Sequence, residues 1–104
     1  MVDAKLKEEA RLVEFDASEV LDTEEGIEAF LRDAMESGHV GVILGALGDV
    51  ARAKGMTELA RQAGMSRESL YRALSKDGNP QLGTVMKVLG ALGYKLDVKS
   101  TAAE

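Results

Sequence analysis

The sequence predicts an all-α fold of five short helices. Between about residues 22 and 92, apolar residues recur at the spacing of helix faces, and glycines or other turn formers separate the five periodic stretches. The length of 104 residues fits one compact domain. We therefore expect an N-terminal arm over residues 1–14, a single domain over residues 15–99 and a loose tail over residues 100–104.

The composition excludes several classes of protein. The chain has no cysteine, which rules out disulfides, thiolate metal sites and a cysteine nucleophile and fits a reducing cytoplasm. The N-terminal stretch MVDAKLKEEA is too charged for a signal peptide, and no apolar stretch is long enough to span a bilayer. We expect a soluble cytoplasmic protein with no membrane partner.

Charge is unevenly distributed along the chain. The formal net charge is -5, but residues 1–50 carry 4 basic and 13 acidic residues, whereas residues 51–80 carry 6 basic and 3 acidic residues. An acidic front half and a basic middle indicate two different partners or a self-association that separates like surfaces. Two solvated helix faces explain the same pattern.

The first helix is expected to start after a cap at Asp22 or Thr23 and to end near Glu36. Glutamates occupy its first turn, where the helix dipole favours negative charge. Its apolar face comprises Ile27, Phe30, Leu31, Ala34 and Met35. Ser37 and Gly38 end it.

The second helix is expected from about Val40 to Lys54. Three internal glycines each cost about 1 kcal/mol relative to alanine unless their small size allows close packing. They are Gly41, Gly45 and Gly48. Gly55 ends this helix and starts the next.

Two short helices are predicted within Met56 to Ser75. The third helix runs to about Gln62, Gly64 forms a tight turn, and Ser66 caps a fourth helix that ends near Ser75. The predicted inward side chains are Leu59, Ala60, Met65, Leu70, Ala73 and Leu74. This arrangement is the helix-turn-helix pattern.

A fifth helix and a strand are expected after the KDGNP loop. The helix spans about Gln81 to Leu92, and its predicted inward residues are Leu82, Val85, Met86, Leu89 and Leu92. The segment YKLDVKS alternates apolar and polar residues, which predicts a half-buried strand. Its partner is either the RLVEF stretch of the arm or its own copy across a two-fold axis.

The outward face of the fourth helix carries groups that read base edges in a major groove. The predicted base-reading residues are Arg67, Glu68, Tyr71 and Arg72. Arginine binds guanine, glutamate accepts from cytosine, and tyrosine contacts a thymine methyl or a phosphate. The predicted phosphate contacts are Thr57, Ser66, Ser69, Ser75, Lys76 and Asn79.

Five helices with such a pair in the middle form the lambda-repressor-like setting of this motif. One recognition helix covers few base pairs, so we expect a homodimer on double-stranded operator DNA. The fifth helix and the YKLDV segment are the candidate dimer surfaces. The alternative is an ordinary helical hairpin with a solvated Arg/Glu face that binds no DNA.

Over about residues 15–96, the sequence resembles the probable addiction-module antidote proteins, which are Xre-type antitoxins. The segments that carry the resemblance are FDASEVLDTEEGIEAFLRDAMESG, ALGDVARAKGM, TELARQAGMSRESLYRALSKDGNP and TVMKVLGALGYKL. The resemblance implies a dimeric repressor of its own operon that neutralises a small, usually basic toxin of the RelE type. An acidic segment from Glu8 to Glu36 is a plausible complement to such a toxin.

Other functions remain as alternatives. Catalysis has little support, because His39 is the only histidine and the carboxylates at Glu24, Glu25 and Glu28 are explained by the helix dipole. We expect no enzyme activity, no catalytic residues, no metal site and no cofactor. A stand-alone regulator without a toxin, or a protein-interaction module that binds no DNA, fits the same residues.

Overall fold

The computed structural model describes residues 21–102, and the predicted all-α architecture of five helices is confirmed there. The helices are α1 (Glu24–Ser37), α2 (Val40–Lys54), α3 (Met56–Ala63), α4 (Arg67–Ala73) and α5 (Leu82–Leu92). The last turn of α4 is shorter than predicted: Leu74 leaves the helical conformation, so the helix ends before Ser75.

The start of α1 has the cap that the sequence indicates. Thr23 is extended, and its hydroxyl accepts a hydrogen bond from the Gly26 N–H at 3.0 Å. At the other end, Gly38 adopts the left-handed conformation with φ 69°, and its N–H donates to the Met35 carbonyl. His39 is the first residue before α2, and its exposed side chain makes no capping bond.

Two central helices organise the packing. α2 packs against α1 and α3, and α3 also packs against α4 and α5. The largest fully buried side chains come from three different helices: Leu47, Val50, Leu70 and Val88. A single core therefore holds the two short helices α3 and α4 in place, because neither is long enough to be stable alone.

The three glycines of α2 have different surroundings. A Cβ at Gly48 would lie 3.2 Å from the Leu74 carbonyl oxygen, so this glycine permits the close approach of the chain leaving α4. A Cβ at Gly41 would make only an ordinary contact, and one at Gly45 would meet nothing within 4 Å. Close packing inside the fold therefore explains Gly48 but not Gly45.

The orientation of α5 differs from the prediction. Leu82 and Met86 were expected inside, but they are 65% and 55% exposed, whereas Val88 is fully buried. α5 packs on α3 through the face that carries Val88 and Leu89, and this rotation leaves the stripe of Leu82 and Met86 outside. Both faces of the helix are apolar, so spacing alone did not identify the inner one.

The segment after α5 does not form the predicted strand. Residues 94–102 carry no strand, and among residues 21–102 no strand lies beside them to supply a ladder. Only Tyr94 is half-buried, while Val98 is 92% exposed. The predicted arm over residues 1–14 and the whole RLVEF stretch lie outside the described residues.

The C-terminal segment is attached to α1 by polar contacts instead. Lys99 forms an ion pair and hydrogen bond with Glu36, which lowers the pKa of the Glu36 carboxyl. Burial raises the pKa of the Tyr94 phenol, and the negative charges of Glu24 and Glu28 raise it further.

The serine cap of α4 provides a test of the local fold. Replacing Ser66 with alanine removes the oxygen that accepts from the Ser69 N–H, and we expect a loss of about 1 kcal/mol in the free energy of unfolding. Thermal unfolding followed by circular dichroism measures it. The control is Ser75→Ala, whose hydroxyl only donates to the Arg72 carbonyl, and it should change stability much less. Equal effects of the two substitutions would contradict the capping role.

The environment of Tyr94 provides a second test. In a Tyr71→Phe variant Tyr94 is the only tyrosine, and ultraviolet absorbance should show its phenol titrating above the ordinary pKa of 10.0. Since the folded pKa is raised, the stability linked to this group is complete below the unfolded pKa and falls as the pH rises through the folded value. A Glu24→Gln substitution should lower the midpoint. An unshifted midpoint in the parent variant would contradict the burial.

Candidate nucleic-acid interface

The turn between α3 and α4 is closed by a Schellman motif. Gly64 has φ 71°, and its N–H donates to the Arg61 carbonyl at 3.1 Å. The Met65 N–H donates to the Ala60 carbonyl at 3.0 Å, and the Met65 side chain packs against the core. The left-handed glycine and this apolar contact set the direction in which the chain enters α4.

The inner face of α4 is anchored in the core. Leu70 is fully buried and Leu74 is 5% exposed. At the start of the helix, the Ser66 hydroxyl accepts from the Ser69 N–H at 3.0 Å and lies 2.9 Å from the Ser69 hydroxyl oxygen. The cap and the buried leucine together orient the helix about its own axis.

The four predicted base-reading side chains all lie outside. Arg67, Glu68, Tyr71 and Arg72 are exposed. The Arg67 guanidinium lies 5.2 Å from the centroid of the Tyr71 ring, at the distance of a cation–π contact. Arg72 makes only a long hydrogen bond of 3.4 Å to the Ser69 hydroxyl. The face is therefore basic, partly ordered and open.

The predicted phosphate contacts do not form one cluster. Ser69 and Asn79 lie with Arg72 around a shallow surface depression beside the end of α4. Lys76 lies apart from them, on the side that faces α2, and Thr57 is exposed in the first turn of α3.

Two of these hydroxyl groups already donate a hydrogen bond within the chain. The Ser66 hydroxyl donates to the Ser69 hydroxyl, and the Ser75 hydroxyl donates to the Arg72 carbonyl at 3.1 Å. A phosphate contact through either hydroxyl would have to replace that bond. Within residues 21–102, Lys76 and Asn79 have side chains that form no hydrogen bond or ion pair, so they are the better placed donors.

The outer face of α3 has a different charge arrangement. Arg61 forms a bidentate ion pair with Glu58, which also accepts from the Gln62 amide at 3.0 Å. The hydrogen bond that Arg61 donates to Glu58 lowers the pKa of the Glu58 carboxyl and raises the pKa of the Arg61 guanidinium. The charge of Arg61 is therefore neutralised locally, unlike that of Arg67 on α4.

An open groove between α1 and α2 was not anticipated from the sequence. It has a volume of about 810 Å³ and is lined by Phe30, Asp33, His39, Val42, Gly45, Asp49 and Lys76, together with two alanines and Gly41. We name it the α1–α2 groove. The only sequence signal was the series of glycines in α2, which was interpreted as internal packing.

Two other types of site are not seen in residues 21–102. No three histidine, aspartate or glutamate side chains in this range are placed to hold a metal ion. None of the helices in the same range has the length and apolar character needed to cross a membrane.

Comparison with known proteins gives the family. A family model described as "Probable addiction module antidote protein" matches residues 11–100. A protein of Haemophilus influenzae, described as uncharacterized, is 46% identical over 91 residues, which cover 88% of this chain and 94% of the relative. No solved structure matches. The chain therefore belongs to the family of probable addiction module antidote proteins.

Proposed function

We propose that this protein is the antitoxin of a toxin–antitoxin module and that it represses its own operon by binding operator DNA. The family supports the antitoxin role and is not a family of enzymes. The observation that carries the DNA-binding part is the open face of α4, where two arginines, a glutamate and a tyrosine project from a helix anchored by Leu70. These are residue types that read base edges.

In the proposed complex, α4 lies in the major groove. Arg67 and Arg72 bind guanine through O6 and N7, Glu68 accepts from a cytosine amino group, and Tyr71 contacts a thymine methyl or a phosphate. The contact of Arg67 with the Tyr71 ring restrains both side chains before binding, which reduces the entropy lost on the DNA. Lys76 and Asn79 contact phosphates of the DNA backbone and fix the position of the protein along the duplex.

The protein is proposed to bind DNA as a homodimer through α5. Leu82 and Met86 form an exposed apolar stripe on this helix, one turn apart. Gly83 and Gly90 are exposed beside that stripe, and a Cβ at either would meet nothing within 4 Å. A second copy of the same face would bury the stripe, and a two-fold dimer would provide one recognition helix for each half-site.

The toxin partner is proposed to be a small basic protein of the RelE type. α1 alone carries five acidic residues and one arginine. Opposite potentials accelerate encounter and suppress wrong partners, so an acidic surface suits a basic toxin. A short basic reading frame beside the gene would support this role, and the absence of one would favour a stand-alone repressor.

Base reading is tested with single substitutions on a duplex taken from upstream of the gene. Arg67→Ala should weaken binding by about 1–3 kcal/mol and relax the preference at one base position. Lys76→Ala should weaken binding to all duplexes about equally and reduce the dependence on salt. Fluorescence anisotropy over a salt series measures both effects.

The matched control is Arg32→Ala, which removes an exposed arginine from α1. It should leave both affinity and sequence preference nearly unchanged. If Arg67→Ala binds the upstream duplex with unaltered selectivity, the proposed reading face is wrong.

The dimer surface is tested with charge substitutions. Met86→Glu should convert the protein to a monomer in sedimentation equilibrium and weaken DNA binding, because it places two carboxylates at an apolar contact. Val98→Glu is the control, since Val98 is also an exposed apolar residue but lies in the C-terminal segment. Dissociation by Val98→Glu but not by Met86→Glu would place the interface in that segment instead.

A further inference from the structure

The α1–α2 groove combines an apolar wall with acidic residues at its edges. Val42 is 49% exposed, and Phe30 is half-buried on the opposite helix. Asp33 and Asp49 contribute carboxylates from α1 and α2. Exposed apolar surface rimmed by polar groups is typical of a protein-interaction site.

The charges around the groove are only partly satisfied within the chain. In α2, Asp49 lies 2.6 Å from Arg52, and three of the five acidic residues of α1 have a basic partner, such as Glu28 with Arg32. Among residues 21–102, Asp33 forms no ion pair or hydrogen bond through its side chain. A cationic group of a partner therefore has a free carboxylate beside an apolar surface.

The glycine at position 45 is an independent indication of an external contact. A Cβ at Gly45 would meet nothing within 4 Å, so the fold itself does not require a glycine in the middle of α2. Glycine there weakens the helix relative to alanine. Its small size matters only if another molecule approaches α2 at this point.

We propose that the α1–α2 groove binds the toxin, through a segment that carries an apolar side chain next to a lysine or arginine. The proposal rests on the antitoxin role proposed above and identifies the surface that performs it. The apolar side chain packs against Val42 over Gly45, and the cation pairs with Asp33. An α-helix or an extended segment can both present such a pair.

Charge argues against the other occupants. DNA is disfavoured in the groove because Asp33 and Asp49 outnumber Lys76 in its lining, so phosphates would meet a net negative charge. A second copy of this chain would bring acidic α1 surfaces together across a two-fold axis, and like charges oppose that contact.

The test first establishes whether a short basic reading frame lies beside the gene, and the absence of one would remove the antitoxin role and this proposal with it. The product of such a frame is then titrated with the full chain, with the affinity measured by calorimetry. Asp33→Lys and Val42→Lys should each weaken binding by at least about tenfold. The first reverses the charge that is proposed to pair with the cation of the toxin, and the second places a cation on the apolar wall. Both residues are exposed or half-exposed, so the fold should persist, and circular dichroism confirms it.

Two further variants separate the groove from general effects. Glu25→Lys makes the same charge change on α1 outside the groove and should weaken binding by less than about threefold. Gly45→Ala should raise the thermal midpoint by about 4–8 °C, because alanine favours the helix, and yet weaken toxin binding. If Gly45 had a purely structural role, Gly45→Ala would not raise the thermal midpoint and weaken toxin binding at the same time.

The outcomes distinguish this proposal from the function on which it rests. If the wild-type chain does not bind the neighbouring product, the antitoxin role fails and the groove proposal fails with it. If the wild type binds but Asp33→Lys and Val42→Lys bind equally well, the antitoxin role stands and the groove is wrong. Equal losses in Asp33→Lys and Glu25→Lys, or a changed oligomeric state in Val42→Lys, also overturn it.

Discussion

The burial of Leu70 is the contact on which the rest of the interface depends. α4 has seven residues, too few to form a stable helix in water, so its position comes from tertiary packing. With Leu70 inside, the 100° rotation per residue turns Glu68 and Arg72 to the outer side, while Arg67 is exposed because it is the first residue of the helix. The Schellman turn at Gly64 determines the direction in which the chain enters α4, and Leu70 determines which side of α4 faces solvent.

The glycines separate into groups with different physical reasons. Gly38, Gly64 and Gly93 end helices in the left-handed conformation, which a side chain would disfavour. Gly48 allows the Leu74 carbonyl to approach α2. Other glycines, such as Gly45, are in the middle of a helix at positions where an added Cβ would meet no atom within 4 Å. These positions lie on the surfaces proposed to bind other molecules. Glycine at these positions weakens the helix and leaves room for another molecule to approach it.

The acidic residues of α1 and the arginines of α4 differ in whether they have partners within the chain. Within residues 21–102, two acidic residues of α1 are paired with basic residues from distant parts of the chain, Glu24 with Lys54 and Glu36 with Lys99. These pairs are exposed and each contributes little to stability. Their consequence is that the acidic excess of α1 is concentrated on residues without a partner in the described chain, among them Asp33, while α4 keeps its arginines free of carboxylate partners within the same range. The acidic residues of α1 and the arginines of α4 therefore lie on two separate surfaces.

The sequence by itself determined the five helices, their approximate ends and the outward face of α4, because these features depend on local spacing, caps and left-handed glycines. Thr23, Gly64 and Ser66 all act as their residue types predict. Only the tertiary structure decided which side of α5 is buried, since an apolar helix offers no spacing signal. It also decided that residues 94–102 remain without a strand and that α1 and α2 enclose an open groove. Those features depend on contacts between residues distant in sequence, which local patterns do not encode.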